Sequence, residues 1–197
     1  MPASINIDFD TGALVKAGIL LKTAPEKIKI AVSHAVNRSL ESFKSVAVRE
    51  TVKKYFVARK NIDTEENLKL KKSYGGDLNA TLIARDKRHS IKEYKLTPMS
   101  PTPGKKTEIK GAVKREGGLK TLTRAFFVKV KGGKYFPFFR VGYDKKARQR
   151  GQIRSYTSPS LPQIIKNEET VAEAEQKARE TFKKRLEHEL KRAGALP

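Results

Sequence analysis

Apolar residues recur every three or four positions between Ala24 and Tyr55, and this period predicts one continuous helix. The positions on the apolar face are Ile28, Ala31, Val32, Ala35, Val36, Leu40, Phe43, Val46 and Ala47. Thr23, Pro25 and Glu26 form a capping box in front of the helix, because the Thr23 and Glu26 side chains can accept N–H groups that have no helical partner. At roughly 1.5 Å per residue the helix is about 45 Å long. So long a helix in a chain of 197 residues must be a scaffold or reach into a neighbouring molecule.

A second helix is expected at the C-terminal end, where a narrow apolar stripe repeats at helical spacing. The stripe consists of Val171, Ala174, Ala178, Phe182, Leu186, Leu190 and Ala193. Glutamate precedes a basic residue by four positions, the favourable order on a helix surface. The pairs are Glu173–Lys177, Glu175–Arg179, Glu180–Lys184 and Glu187–Lys191. We expect Thr170 and Glu173 to form a capping box at the start of this helix and Gly194 to end it.

The middle of the chain favours strands and turns. Ala58–Leu70 is expected to form a short helix, and Thr97–Gly104 is too rich in Pro and Gly for anything but an exposed loop. The expected strands are Leu78–Ala84, Ile109–Lys114, Leu119–Val130 and Phe138–Gly142. Gly132 and Gly133 separate two alternating segments and predict a tight hairpin, after which Pro137 is expected to mark an edge or a break.

Together these elements predict an α+β fold, with long N-terminal and C-terminal helices packed on a small, mostly antiparallel β-sheet with extended basic loops. We expect a single domain over residues 1–197. It comprises an N-terminal helical segment (1–56), a β-rich middle (57–157) and a C-terminal helix (158–197).

The charge of the chain restricts its partners. The chain holds 43 Lys and Arg against 21 Asp and Glu, a formal net charge of +22. This excess predicts a polyanionic partner, which is nucleic acid, an anionic membrane or an acidic neighbouring subunit. The sequence has no cysteine, which excludes disulfides and thiolate zinc sites. With neither a signal peptide nor an apolar stretch near the roughly 20 residues of a membrane span, we expect a soluble protein with no membrane contact.

Positive charge is densest between Gly104 and Arg154, where the sequence contains 16 Lys and Arg but only three acidic residues. The densest run is Lys145, Lys146, Arg148, Arg150 and Arg154, which we expect on a loop edged by Gly142 and Gly151. Such a loop can neutralise phosphates without sequence specificity. Alternatively, it is a solvated loop that becomes ordered against acidic residues of another subunit, and the sequence leaves both interpretations open.

Aromatic residues are interleaved with these basic residues, namely Phe126, Phe127, Tyr135, Phe136, Phe138, Phe139 and Tyr143. Exposed rings can stack on bases, but strict alternation in a hairpin favours core packing. The histidines His34, His89 and His188 are isolated and are expected to be ordinary surface or satisfied residues. No catalytic, metal-binding or cofactor-binding pattern is present, so we expect no enzyme activity and no cofactor. A nuclease would need clustered acidic metal ligands, which the basic middle lacks.

Three short patterns resemble the minor tail protein Z family of tailed bacteriophages. They are Lys22-Thr23-Ala24, Ala35-Val36-Asn37-Arg38 and Val48-Arg49-Glu50-Thr51. The later order is also similar: an Ala125-Phe126 strand, a glycine hairpin, the Phe139-Arg140-Val141-Gly142 strand, and a Pro-Ser-Leu-Pro segment before a basic helix. The likeness covers most of the chain, and the stretch from Thr64 to Gly118 departs from it.

The resemblance implies a structural virion protein that completes the tail at the head–tail junction, made in the host cytoplasm. Its expected partners are copies of itself in a ring, by resemblance a hexamer, together with neighbouring tail and head–tail connector proteins and genomic DNA. Polar residues in the first helix, Arg38, Arg49 and Glu50 with Asn37, are expected to pair within the fold or across a subunit boundary. The alternative from another class is a nucleic-acid-binding protein without sequence specificity.

Overall fold

The computed structural model describes residues 3–6, 25–75, 79–85, 88–104, 107–144 and 149–194. The helices are α1 (Glu26–Lys54), α2 (Arg59–Ile62), α3 (Leu161–Ile165) and α4 (Glu168–Arg192). The strands are β1 (Ala3–Asn6), β2 (Leu68–Lys71), β3 (Thr81–Ala84), β4 (Arg88–Ser90), β5 (Lys95–Thr97), β6 (Lys110–Ala112), β7 (Lys120–Thr121), β8 (Phe126–Lys129), β9 (Tyr135–Asp144), β10 (Gln149–Ser155) and β11 (Thr157–Ser160). A 3₁₀ turn covers Ile91–Glu93. Helices with antiparallel strands confirm the α+β class.

The chain divides into two compact units. The helical unit contains Met1–Thr51, Ile62–Asp86 and Leu161–Pro197, and the basic unit contains Val52–Asn61 and Lys87–Ser160. Described strands form four small antiparallel sheets where one was expected, in the orders β1-β3-β2, β5-β6-β7, β10-β9-β8 and β11-β4. The organisation of residues 1–197 as a single domain stays a prediction.

Helix α1 runs for 29 residues, close to the predicted bounds. It begins behind Pro25, whose carbonyl accepts the N–H groups of Ile28 at 2.9 Å and Lys29 at 3.3 Å. Thr23, the other half of the predicted capping box, lies outside the described residues. Burial follows the helical period, with Ala35, Leu40 and Phe43 fully enclosed, because one stripe of the helix faces the core of the helical unit.

Helix α4 begins earlier than predicted. Its N-cap is Asn167, whose side chain accepts the N–H of Thr170, so the capping box expected at Thr170 and Glu173 is wrong. Thr170 is instead buried in the first turn. The predicted end is confirmed, since Gly194 lies beyond the last turn with a φ of +73°.

Helices α1 and α4 run antiparallel in the helical unit. Thr181 Oγ1 donates to Ser42 Oγ at 3.1 Å, and His34 Nδ1 lies 3.7 Å from Glu189 Oε2 about two turns away. Half of the predicted charge pairs on α4 form as expected, Glu175–Arg179 and Glu187–Lys191, whereas Lys177 pairs with Glu180 three positions on. The short α3 completes this core with three side chains that are fully buried, Leu161, Ile164 and Ile165.

The helix predicted over Ala58–Leu70 is wrong for most of its length. Only Arg59–Ile62 is helical, and Leu68–Lys71 is strand β2, which pairs antiparallel with β3. Leu68 is buried and Leu70 half-buried, while Lys69 and Lys71 are exposed. This alternation of Leu and Lys has the two-residue period of a strand, and pairing with β3 selects it over the helical alternative.

The basic unit has a small core of its own. Ile91, Leu96 and Ile109 are buried together, and the surrounding half-buried residues are Val113, Leu122, Ala125, Phe127 and Tyr156. The predicted hairpin is confirmed, because β8 and β9 pair around Gly132 and Gly133, which have φ angles of +89° and +74°. The exposed loop predicted after Thr97 is confirmed as well.

In the second half of the hairpin, the break expected at Pro137 is wrong, and the loop expected after Gly142 is shorter than predicted. Strand β9 runs through Pro137 without a break, because pairing with β10 reaches only to Phe138 and the missing N–H removes no rung there. Within the loop expected between Gly142 and Gly151, the described residues are strand, since β9 extends to Asp144 and β10 begins at Gln149, whereas residues 145–148 lie outside the described residues.

Candidate polyanion-binding surface

The net charge of the chain is concentrated in one unit. The basic unit contains 24 Lys and Arg against 4 Asp and Glu, a net +20. The helical unit contains 19 against 17, a net +2. The two units are of comparable length, so the basic unit carries most of the unbalanced positive charge and is the region suited to an anionic partner.

Cations in the helical unit are matched by carboxylates. Lys44 Nζ lies 2.9 Å from Asp63 Oδ1, and Glu41 accepts hydrogen bonds from both Arg38 and Lys72. Burial raises the pKa of Glu41, but these two hydrogen bonds outweigh it and hold the pKa below its usual range. A shallow groove of about 440 Å³ beside them is lined by residues of both signs, so it offers no uniform field to a polyanion.

The basic unit offers few such matches. Its described residues include the ion pair Lys110–Glu108 at 3.5 Å and the contact of His89 Nδ1 with Glu93 Oε2 at 2.6 Å. Glu108 also accepts from Thr121 Oγ1 at 2.7 Å, and this bond, together with Lys110, lowers the pKa of Glu108. With only 4 carboxylates against 24 Lys and Arg, the unit has too few carboxylates of its own to neutralise most of its cations.

Aromatic rings, rather than carboxylates, support several of these cations. Lys92 Nζ lies 4.7 Å from the centre of the Phe136 ring and donates to the Tyr135 carbonyl at 2.9 Å. The guanidinium of Arg140 lies 5.3 Å from the centre of the Phe126 ring. Phe56 supports two more, with Lys95 at 4.9 Å and Arg115 at 4.8 Å. Cation–π contacts of this kind position a charge without cancelling it, so the charge is kept for a partner.

Beyond Phe138, where its pairing with β8 ends, strand β9 pairs with β10 alone, and the two strands form a two-stranded ribbon that carries the central part of this surface. In its register Phe139 faces Arg154 and Arg140 faces Ile153. Because directly opposed residues share a face and successive residues alternate, Arg140 and Arg154 project from opposite faces of the ribbon. Both arginines are exposed, and the ribbon therefore presents positive charge on each side.

Farther along the ribbon, the register places Gly142 opposite Gly151. A Cβ at Gly151 would collide with the backbone carbonyl oxygens of Val141 and Gly142. Gly142 has a φ of +73°, which side chains disfavour. The two backbones approach so closely here that glycine is required.

The sequence-predicted basic run is only partly described. Lys145, Lys146 and Arg148 lie outside the described residues, and Arg150 is described only as backbone at the start of β10. Arg154 is exposed, as a polyanion contact requires, but it belongs to a strand and not to a loop. Sequence reasoning missed β10 because Arg150-Gly151-Gln152-Ile153 has one apolar residue and no alternation. The sequence feature that could have indicated β10 was the pair of glycines, Gly142 and Gly151, at the edges of the basic run.

The predicted core packing of the aromatic residues is confirmed for Phe127, which packs against the core of the basic unit. Phe126, Phe136 and Phe138 are only half-buried, with Phe126 directly opposite Phe138 in the sheet. The side chain of Tyr143 lies outside the described part of the chain. The rings thus divide between the core and the support of nearby cations.

The polar residues singled out on α1 all find partners within the fold. Asn37 accepts the Ser73 N–H at 2.7 Å and donates to the Ser73 carbonyl at 2.9 Å, which fixes that segment against the helix. Arg49 Nε lies 2.9 Å from Glu50 Oε1, with the glutamate buried and the arginine exposed. Arg38 Nη1 lies 2.9 Å from Glu41 Oε2 at the surface of the helix. The geometry therefore shows the intramolecular half of the expected pairing.

His89 is the one histidine of the three that is buried. Its Nδ1 lies 2.6 Å from Glu93 Oε2, and its backbone carbonyl accepts a hydrogen bond from Ser158 Oγ at 3.0 Å. These contacts tie β11 and the 3₁₀ turn to β4, so we assign the pair a structural role. In the described part of the chain, no group of three or more His, Cys, Asp or Glu residues is placed to hold a metal ion.

Comparison of the chain with protein-family models, with curated proteins and with solved structures finds no match. No helix in the described ranges has the length and hydropathy needed to cross a bilayer.

Proposed function

We propose that this chain is a structural virion protein of a tailed bacteriophage, a tail-completion or terminator-type subunit at the head–tail junction. It acts by oligomeric assembly around the path of the DNA and has no catalytic role. The observation that carries the proposal is the division of charge, a nearly neutral helical unit and a basic unit of net +20. A subunit that must contact both its own copies and a polyanion needs these two kinds of surface.

The resemblance of α1 to the minor tail protein Z family supports the same proposal. In the proposed assembly the two long helices act as the scaffold, and the small antiparallel sheets and basic loops reach neighbouring molecules. Arg38 and Arg49 each have more than half of their side chain exposed and lie on the same helix, so a neighbouring subunit can reach them. The proposed oligomer is a ring, a hexamer by resemblance, closed by a heterologous interface. Tail and head–tail connector proteins would be its neighbours in the virion.

Mass and assembly measurements test this proposal. The purified protein is examined by native mass spectrometry and sedimentation, then added to phage tails that lack this subunit. We expect a discrete oligomer, or a monomer that joins such tails at about 0.2 M salt, where weak surface contacts are largely screened. A protein that stays monomeric and does not join such tails at this salt concentration would refute the proposal.

The second candidate is a nucleic-acid-binding protein that works outside a virion, and the net charge of the basic unit favours it. The same preparation separates the two candidates. Tight binding of the monomer to DNA, steeply weakened by salt and without affinity for tails, would select the second.

A further inference from the structure

We infer that the basic unit binds the phosphate backbone of double-stranded DNA without sequence specificity, and that the β9–β10 ribbon is its principal contact element. The inference deepens the proposed function, on which it rests for its biological setting, by naming the partner of one unit. Its physical argument uses only the charge, register and exposure of the described residues.

The first step is the size of the unbalanced charge. Duplex DNA presents one negative charge per roughly 1.7 Å of helix axis, and each cation that neutralises a phosphate releases condensed counterions. The basic unit holds 24 cations against 4 carboxylates, two of which already have partners within the unit. An excess of 20 charges repels itself in the free protein, and a polyanion removes that repulsion.

The second step is the shape of the ribbon. The part of β9 that pairs with β10 runs from Phe138 to Asp144, so the ribbon extends for roughly 23 Å, about two thirds of one turn of duplex. A two-stranded ribbon fits the major groove, which is about 12 Å wide and has phosphates along both walls. Arg140 and Arg154 point from opposite faces, so each can reach one wall while the ribbon lies between them.

The third step is the choice between DNA and an acidic protein. Protein–protein interfaces have an apolar centre from which Lys is depleted, whereas protein–DNA interfaces are strongly positive. The exposed large apolar residues described on the ribbon are Val141 and Ile153, which lie on opposite faces and form no continuous patch. Exposed Lys129, Lys131 and Lys134 lie in and beside the β8–β9 hairpin that continues the sheet. This surface matches DNA and lacks the centre of a protein interface.

Absence of base readout follows from the same residues. Specific recognition uses Asn, Gln or Arg side chains held in a fixed orientation toward base edges. Arg140 and Arg154 project from opposite faces of the ribbon, and exposed Lys131 and Lys134 lie beside the hairpin turn, so these cations do not converge on one line of base edges. Such an arrangement senses phosphates and not bases.

The test compares two variants with the same net charge. The ribbon variant carries Arg140→Gln and Arg154→Gln on the ribbon, together with Lys129→Gln at the end of the adjoining strand β8. The control carries Lys183→Gln, Lys184→Gln and Arg185→Gln, three exposed cations of α4 in the helical unit. Fluorescence anisotropy measures the affinity of each for a labelled random-sequence duplex of 30 base pairs between 50 and 200 mM salt. Thermal unfolding verifies that both variants are folded.

We expect the ribbon variant to bind at least about tenfold more weakly at 0.1 M salt, and its salt slope to fall by about 0.9 for each phosphate contact removed. The control should keep the wild-type affinity within about twofold. A third variant with Arg140→Lys and Arg154→Lys keeps the charge and should also keep most of the binding, which separates loss of charge from a local folding defect.

Three outcomes would overturn the inference. Equal losses in the ribbon variant and the control would mean that only total charge matters. If the wild-type protein does not bind the duplex at 0.1 M salt, DNA is not the partner of the basic unit. Binding to poly-glutamate, but not to DNA, would assign the surface to an acidic protein instead. The tail-joining assay is independent, so DNA binding without tail joining refutes only the proposed function, and tail joining without DNA binding refutes only this inference.

Discussion

The two units of this protein differ in the balance between cationic side chains and carboxylates. In the helical unit, opposite charges are nearly balanced, and ion pairs join α1 to Asp63 and to Lys72. In the basic unit, carboxylates are scarce and aromatic rings support the cations instead. Pairing stabilises a unit by itself, whereas unpaired charge stays available to a partner. The comparison shows that the basic unit keeps an excess of positive charge that its own carboxylates are too few to neutralise, and this excess is the basis for the proposed anionic partner.

Among the variants considered, loss of core packing should lower the free energy of unfolding most. Phe43 on α1 is fully buried, so Phe43→Ala should lower the free energy of unfolding by about 3–5 kcal/mol. Urea unfolding followed by circular dichroism measures this. Ile30→Ala, on the same helix but 44% exposed, is the control and should cost well under half as much. Similar losses for both would show that the core of the helical unit lies elsewhere.

The glycine pair in the ribbon tests whether the basic unit depends on backbone shape as well as charge. Gly151→Ala leaves the charge unchanged but places a Cβ against two carbonyl oxygens, and we expect a local cost of about 1–3 kcal/mol. Hydrogen exchange should show loss of protection confined to β9 and β10. The exposed neighbour Gln152→Ala is the control and should leave protection unchanged; equal effects would mean that the close approach is unimportant.

Capping of α4 sharpens the account of the helical unit. Asn167→Ala removes the N-cap acceptor and should destabilise the protein by about 1 kcal/mol. Thr170→Val replaces a buried hydroxyl that has no partner among the described residues, so it should be neutral or stabilising. Thermal unfolding of both variants decides between them. A larger loss of stability in Thr170→Val than in Asn167→Ala would indicate that Thr170 is the N-cap.

Charge pairing in the helical unit should give the smallest effect. Because the pKa of Glu41 is lowered in the folded state, its stabilising contribution is present above the unfolded pKa and is lost as pH falls through the folded one. At pH 7 we expect Glu41→Gln to cost only about 0.2–1 kcal/mol, since the pair is partly exposed. At pH 3 the difference between variant and wild type should shrink. A difference that persists there would point to packing rather than charge.

Periodic features of the sequence were predictable and local pairings were not. The bounds of α1 and the glycine hairpin were predicted closely, because a helical period and a Gly-Gly turn act within a few residues. The start of α4 was misplaced, since both Asn167 and Thr170 are good caps and only the path of the chain from α3 selects one. Strands β2 and β10 were missed because their partners, β3 and β9, make them strands.

The candidate site shows the same division. Its charge was visible in the sequence, including the exposed Arg154. The support of Arg140 by Phe126, the opposition of Gly142 and Gly151 and the pairing of Asn37 with Ser73 are contacts between chain segments, and no single-sequence pattern encodes them.

The sequence by itself determined the α+β class, the two long helices, the hairpin and the total charge, because these depend on composition and on spacing along the chain. Tertiary structure decided that the charge collects in one unit while carboxylates neutralise the other. It also decided that part of the expected loop is a ribbon with positive charge on both faces. The physical reason is that strand register and ion pairing are set by residues distant in sequence, which only the folded chain brings together.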